Sequence, residues 1–459
     1  MRADAEMLFF QGTRYMEAGD VTNAEACFKK AVQIAPDFAE AYANLGLLLD
    51  RQTVKKAAEV CYRRSIELNP TYSETHLNLG ALLANEKRFS EAEEAYRQAI
   101  SLSPHSPVGW SNLGVLYACM KREREAEHCY RTAMTLDKSY ATVRFNLSYL
   151  LLRQGRFEEG WNYLEARNWY AALAARFSCP RWQGESLACK SIVIGYEAGH
   201  GDMIQFCRYA AVLKAQGTAS IAMICHPALK TLFVALEDVD TVISFDEPIP
   251  LTGWDFWTPL LSIPYYCKTS LGSIPAKIPY LQAPPERIAK WAALLPKEGL
   301  RVGLVWKGNT LFENDADRSL PSLAVLAPLW GVAGVNFFSL QKGAGEDEAA
   351  QPPGGLPLIN IGYRLEDFAD TAAIVTNLDL VICVDTAIAH LTCALGKSCW
   401  VLLPGYKTDW RWLADRTDSP WYPEIMRLFR QSTIGDWAPV VAEVANALEQ
   451  LVQDAIRCK

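Results

Sequence analysis

Two short segments of this 459-residue chain carry side chains suited to handling anions and protons. In Val384-Asp385-Thr386-Ala387-Ile388-Ala389-His390, an apolar run ends in a carboxylate and a hydroxyl where helical spacing begins. The first turn of a helix has free N–H groups and the positive end of its dipole, so Asp385 and Thr386 stand where a phosphate would be held. Ala387 leaves room for a diphosphate to approach. The same residues would also serve as plain N-caps, and capping and phosphate binding can coexist. His390, one turn along, either faces such a ligand or packs inward. The second segment, Gly199-His200-Gly201-Asp202, sets a carboxylate beside a glycine turn. Asp202 could take the proton of an attacking hydroxyl or cap the helix that follows. Gln205 and Arg208, one and two turns further on, could hold a ligand or an interface.

Two cations complete the set: Lys307, after an apolar run, and Arg318 in Asp317-Arg318-Ser319-Leu320-Pro321. Either could neutralise a departing diphosphate, the service required when no metal does it, or could be a solvated charge. Asp238-Val239-Asp240 and Asp315-Ala316-Asp317 have the spacing of a metal-holding pair. The first precedes an apolar strand and the second lies in a polar loop, so both read as incidental. The 13 cysteines run from Cys27 to Cys458 without a Cys-x-x-Cys pair, and the six histidines are dispersed. No metal or cofactor is expected, and most of the cysteines read as buried thiols of a reducing cytoplasm.

These residues need elements to position them. From Arg181 onward, short apolar runs alternate with amphipathic stretches, the pattern of parallel sheets covered by helices. Strands are expected at Ser191–Tyr196, Ser220–Cys225 and Thr241–Phe245, with helices at Met203–Ala215 and Pro227–Leu236. A proline-rich crossing, Pro275 to Pro285, leads to further strands at Val302–Trp306, Asn336–Leu340, Leu380–Val384 and Cys399–Leu403. Helices are expected at Leu365–Asn377, Ala387–Leu395 and about Trp437–Ile456. The aromatic group Trp410, Trp412, Trp421 and Tyr422 could stack on a base or sugar, or form interface core.

The first third has a period of 34 residues, that of a tetratricopeptide repeat. Gly12, Gly46, Gly80 and Gly114 keep this spacing, as do Ala24, Ala58, Ala92 and Ala126, and the aromatics Phe28, Tyr62, Tyr96 and Tyr130. Small residues let paired helices approach, and the aromatic is expected to fill the gap between neighbouring units. A fifth, decayed unit starts at Ala141 and reaches Gly160-Trp161. Asn44, Asn78, Asn112 and Asn146 recur on the first helix of successive units. Such a ladder could grip a peptide backbone, or reflect a local preference of the repeat. The net charge of -7 gives no basic surface for nucleic acid, and no apolar run is long enough to span a membrane. With no signal-peptide pattern at Met1-Arg2-Ala3-Asp4, a cytoplasmic protein is expected.

The Gly199-to-Gln205 turn with Arg208-Tyr209, and Asp385-Thr386-Ala387 with His390 and Ala394-Leu395-Gly396, resemble motifs of glycosyltransferase family 9, the heptosyltransferase-like enzymes. Gly303-Leu304-Val305-Trp306-Lys307-Gly308-Asn309, Ser339-Leu340-Gln341-Lys342-Gly343 and Asp409-Trp410-Arg411-Trp412 extend the likeness to the repeat-containing relatives of that family. The repeats are similar to those of O-linked N-acetylglucosamine transferase. This resemblance implies a solenoid over 1–170, then a GT-B fold of two Rossmann-like lobes, 171–290 on the acceptor side and 291–459 on the nucleotide-sugar side. It implies metal-independent, inverting sugar transfer with Asp202 as base. Asp385, Thr386, Ala387, His390, Arg318, Lys307, Asn309, Gln341 and Lys342 would surround the donor, with His390 on the ligand side. Arg318 departs from the family's pattern, being followed by Ser-Leu-Pro rather than an aromatic-proline step. Gln205 and the four asparagines would hold the acceptor. An appended solenoid suggests a protein hydroxyl as acceptor, with flagellin a candidate by analogy. The alternatives are transfer to a lipopolysaccharide-type glycan and a scaffold with a degenerate transferase domain.

Overall fold

A computed structural model describes residues 2–457. Cys458 lies outside the described residues. The chain forms two compact units, residues 1–147 and 148–459.

The first unit is built of helix pairs: Arg2–Glu17 with Val21–Ile34, Ala39–Arg51 with Lys55–Leu68, Ser73–Asn85 with Phe89–Leu102, and Pro107–Cys119 with Glu123–Leu136. The periodic glycines and aromatics explain the pairing. A Cβ on Gly46 would sit 2.8 Å from the Tyr62 ring, on Gly80 2.7 Å from Tyr96 and on Gly114 2.6 Å from Tyr130. Each aromatic therefore lies on the glycine of its own unit, closing the two helices on each other, and not in the gap between units as the spacing had suggested. The periodic alanines are fully buried at the same crossings. Between the helices of a pair the chain turns through a left-handed residue, Gly19, Thr53, Lys87 or Lys121, which keep the same 34-residue spacing. Ion pairs link successive units on the outer helices, Arg88 with Glu59 (2.7 Å) and Arg122 with Glu93 (2.6 Å). Being partly exposed, each contributes less than about 1 kcal/mol.

The helix Ala141–Arg153 of the decayed repeat runs across the division between the units. Its partner, Phe157–Leu164, belongs to the second unit, where Trp161 is buried against Trp410 and donates to the Thr269 carbonyl (2.9 Å).

The second unit contains two all-parallel sheets. The first comprises β1 (Ser191–Gly195), β2 (Ser220–Cys225), β3 (Thr241–Ser244) and β4 (Phe256–Pro259), in the order β3-β2-β1-β4. The second comprises β5 (Leu300–Val305), β6 (Val335–Ser339), β7 (Leu358–Asn360), β8 (Leu380–Val384), β9 (Cys399–Leu403) and β10 (Met426–Arg430), in the order β10-β9-β8-β5-β6-β7. Their interiors are continuous apolar runs, as parallel strands covered on both faces require. Strands β4, β7 and β10 are additional to those expected. Each is an edge strand, and β4 ends in proline, β7 has three residues and β10 contains Arg427 and Arg430, so none reads as an uninterrupted apolar run.

The helix expected over Met203–Ala215 is two helices, His200–Phe206 and Tyr209–Ala215. Side chains interrupt it. Arg208 Nε donates to the Gln205 carbonyl (2.8 Å) and the Tyr280 hydroxyl to that of Ile204 (3.0 Å), so both carbonyls bond to side chains at the break. The proline-rich crossing has no regular structure before the helix Pro285–Ala292, and Tyr280 N and Leu281 N both bond the Ala394 carbonyl.

Candidate functional site: two turns that meet at the strand ends

Counted from its own first strand, the second sheet has the doubly wound order 3-2-1-4-5-6. In such a sheet neighbouring crossovers run to opposite faces at one point, opening a crevice at the carboxyl ends of the two strands concerned. Here those strands are β5 and β8, which pair from Val302 with Leu380 to Val305 with Cys383. Lys307 follows the first and Asp385-Thr386 follows the second.

Thr386 is the N-cap of the helix Ala387–Ala394 by its backbone, but its hydroxyl makes no capping bond. Its Oγ1 is buried and has no partner among the described residues. Asp385 is pushed up to about 6 from the ordinary 3.8, first by burial and then by the Asp409 carboxylate, while Trp412, Arg318 and Arg411 draw it down. Of the two expected cations, Arg318 thus acts on Asp385, and its guanidinium also lies 4.3 Å from the Phe312 ring and 3.2 Å from Asp315. Lys307 bonds the Pro321 carbonyl (3.0 Å) and pairs with Glu348 (3.3 Å). It lines a cavity of about 390 Å³ with Thr310, Phe312, Asp315 and Ser319.

The turn of the first sheet lies directly against this helix start. A Cβ on Gly201 would be 3.4 Å from the Ala387 Cα and 3.1 Å from His390 Cδ2, so only glycine fits without displacement. The room that Ala387 was expected to leave for a ligand is therefore taken up by Gly201. Asp202 has two bonds: Oδ2 accepts from Gly199 N (2.8 Å), the capping role, and Oδ1 accepts from Arg411 Nη2. A carboxylate offers about four acceptor positions, so these two bonds leave others open to a further donor.

Arg411, to which no role was assigned from sequence, is the centre of the arrangement. Nε donates to Gln205 Oε1 (2.5 Å) and Nη1 to both Asp409 oxygens (3.0 Å each). Burial works against its charge, but Asp409 and Asp202 outweigh it and hold the guanidinium ionised. The only signal in the sequence was an Asp-x-Arg embedded in tryptophans, a place where charges need partners. Two further buried nitrogens on the Asp202 side, Gln205 Nε2 and His200 Nε2, have no partner among the described residues; the first is a donor, and the second donates or accepts with its tautomer. His200 packs edge-on against His226 at 4.3 Å, and burial, followed by His226, lowers it to about 4.

Several expectations are corrected. His390 packs inward rather than toward a ligand: its Nδ1 is 2.9 Å from the Tyr422 hydroxyl and its ring stacks on Trp412, with burial holding it neutral. Gln341 spends its amide on backbone, accepting from Trp306 N and Lys307 N and donating to the Lys307 and Lys342 carbonyls. It shapes the ends of β5 and β6. Asn309 closes its own turn by accepting from Leu311 N (3.0 Å), and Lys342 is half exposed near Glu346. Gln205 is fully buried and holds Arg411 rather than an acceptor. Arg208 ties the junction together, bonding the Pro275 and Trp421 carbonyls and the Tyr280 hydroxyl. Trp410, Trp412, Trp421 and Tyr422 are all buried, the core reading rather than the stacking one. Asp240 is committed to Lys214 and Ile221 N, and Asp315 to Ser319 and Arg318. In the repeat unit Asn44, Asn78, Asn112 and Asn146 are half-buried on successive first helices, and Asn44 Nδ2 lies 3.4 Å from Thr13 Oγ1.

Comparison with known proteins agrees with the repeats. The sequence model of the cilia and flagella-associated protein 70 middle TPR-like domain matches residues 15–136. The first unit is a tetratricopeptide-like repeat domain. The chain is also similar to Protein FlbA of Caulobacter vibrioides, with 29% identity over 339 residues, covering 67% of this chain and 55% of that protein. It thus spans about half the length of this curated relative. Among solved structures it is similar to PilF of Pseudomonas aeruginosa (19% identity, TM-score 0.37, covering 47% of this chain and 88% of that one). It is likewise similar to a thermophilic TPR protein of Thermus thermophilus (19% identity, TM-score 0.33, covering 38% and 96%). No helix among the described residues is long and apolar enough to cross a membrane.

Proposed function

We propose that this chain is a glycosyltransferase whose second unit binds a nucleotide sugar where β5 and β8 part, and whose repeats carry the acceptor, a protein. One observation carries the reading: the Asp385-Thr386 helix start and the Asp202 turn, 184 residues apart in sequence, meet within van der Waals distance, and each segment carries a buried polar atom without a partner among the described residues, Thr386 Oγ1 on one and Gln205 Nε2 on the other. Unpaired buried donors are costly unless a ligand supplies acceptors, and a diphosphate is rich in them. In the reaction the acceptor oxygen bonds to the anomeric carbon as the bond from that carbon to the phosphate oxygen breaks. The electron pair leaves on the diphosphate, beside the helix start and Arg318, and the hydroxyl proton passes to Asp202. Direct displacement of this kind inverts the anomeric centre and needs no metal. The similarity to FlbA, at 339 residues, is longer than the repeat unit and so extends into the α/β unit that carries this junction.

The test is a thermal-shift panel of nucleoside diphosphates and nucleotide sugars on the full chain. A donor that binds only the folded state raises its apparent stability, and Thr386→Ala should reduce that shift. A panel without a responding nucleotide, or a shift untouched by Thr386→Ala, counts against the donor site. Retention of full transfer in Asp202→Ala would remove Asp202 as the base.

A further inference from the structure

The Asp409-Trp410-Arg411-Trp412 segment is unused by the reaction as written, yet it holds the two turns together. We propose that Arg411 is a latch exchanged between Asp202 and an incoming diphosphate, so that loading the donor frees the base. This rests on the donor-site reading above and names a further donor-binding residue of the same site.

The geometry says which partner yields. Asp409 grips Nη1 with both oxygens at 3.0 Å, and its Oδ1 also accepts from Arg411 N at 2.9 Å, all within one three-residue step of the chain. Asp202 reaches Nη2 through a single oxygen, comes from the other sheet, and keeps a second bond to Gly199 N if released. Its side chain is 21% exposed against 8% for Arg411, so water is at hand to solvate it. A diphosphate presents the paired oxygens that a guanidinium fork binds best. With Asp202 latched, Gly201 stands over Ala387 and His390, so a ligand reaches the helix start only when this turn moves back. Breaking the Asp202–Arg411 contact and admitting the ligand are then one event. Released from Arg411, the Oδ1 of Asp202 is free to accept while Oδ2 stays with Gly199 N.

The experiment titrates inorganic pyrophosphate, a bare diphosphate, into the full chain and two variants by calorimetry. Asp202→Asn and Asp409→Asn each remove one negative charge from the same guanidinium. The latch predicts that Asp202→Asn tightens binding about tenfold, the value of one charge-assisted hydrogen bond no longer competed for, while Asp409→Asn brings no gain. Equal tightening in both variants would mean plain relief of charge and overturns the latch, as does an affinity unchanged or weakened in Asp202→Asn. Those results leave the donor site standing, whereas no pyrophosphate binding by any of the three proteins overturns the latch and the donor site together.

Discussion

Asp385→Asn should stabilise the second unit at neutral pH and do little at acid pH. A carboxyl raised from 3.8 to about 6 in the folded state holds its proton more tightly there than in the unfolded chain. Below the unfolded value both states are protonated and the group is neutral to stability. As pH rises from about 4 to 6 the unfolded chain ionises first, so stability falls through that window and stays lower above it. At about 1.4 kcal/mol for each tenfold difference in proton affinity, this group costs the wild type roughly 2 kcal/mol between pH 4.5 and 7.5. The side chain is only partly shielded from water, which reduces the expectation to about 1–2 kcal/mol. Asparagine does not titrate, so the variant should gain that amount on the wild type over the same interval. Urea denaturation followed by tryptophan fluorescence reads the right unit, because every tryptophan except Trp110 lies in 148–459. A stability difference between variant and wild type that is the same at both pH values would refute the reasoning.

Two further substitutions test the packing that supports the site. Arg167 and Glu197 have fully buried side chains, joined at 2.6 Å and 3.1 Å, with Ser262 as a further partner. Arg167→Met strands a buried carboxylate and should cost about 3–5 kcal/mol in the same denaturation assay, most of it recovered when Glu197→Leu is added; an equal loss in the double variant would contradict this. In the repeats, Gly80→Ala would gain about 1 kcal/mol of helix propensity but set a methyl 2.7 Å from the Tyr96 ring, at about 1–3 kcal/mol. A net loss of helical signal stability by circular dichroism is expected, and net stabilisation would show that the ring moves freely.

Local order in this chain was legible from residue types alone. The 34-residue period reflects a contact between residues 16 apart, such as Gly46 and Tyr62, and the same contact recurs in every unit. Strands β5, β6, β8 and β9 were readable because parallel strands buried on both faces are unbroken apolar runs, and the Asp385-Thr386 step was visible as the junction of two periodicities. The edge strands β4, β7 and β10 lacked that signature, and so did the break at Cys207-Arg208, caused by Arg208 together with a tyrosine more than 70 residues further on.

Sequence by itself determined the repeat array, the presence of parallel α/β structure and the two turns that carry the acidic and hydroxyl groups, since each is written in neighbours along the chain. Only the tertiary structure decided what those groups meet. Arg411 finds Asp202 209 residues away and Gln205 206 away, and His390 turns to Tyr422 rather than to a ligand. A buried charge or polar group must be satisfied by whatever the fold brings beside it, and spacing along the chain carries no record of that partner.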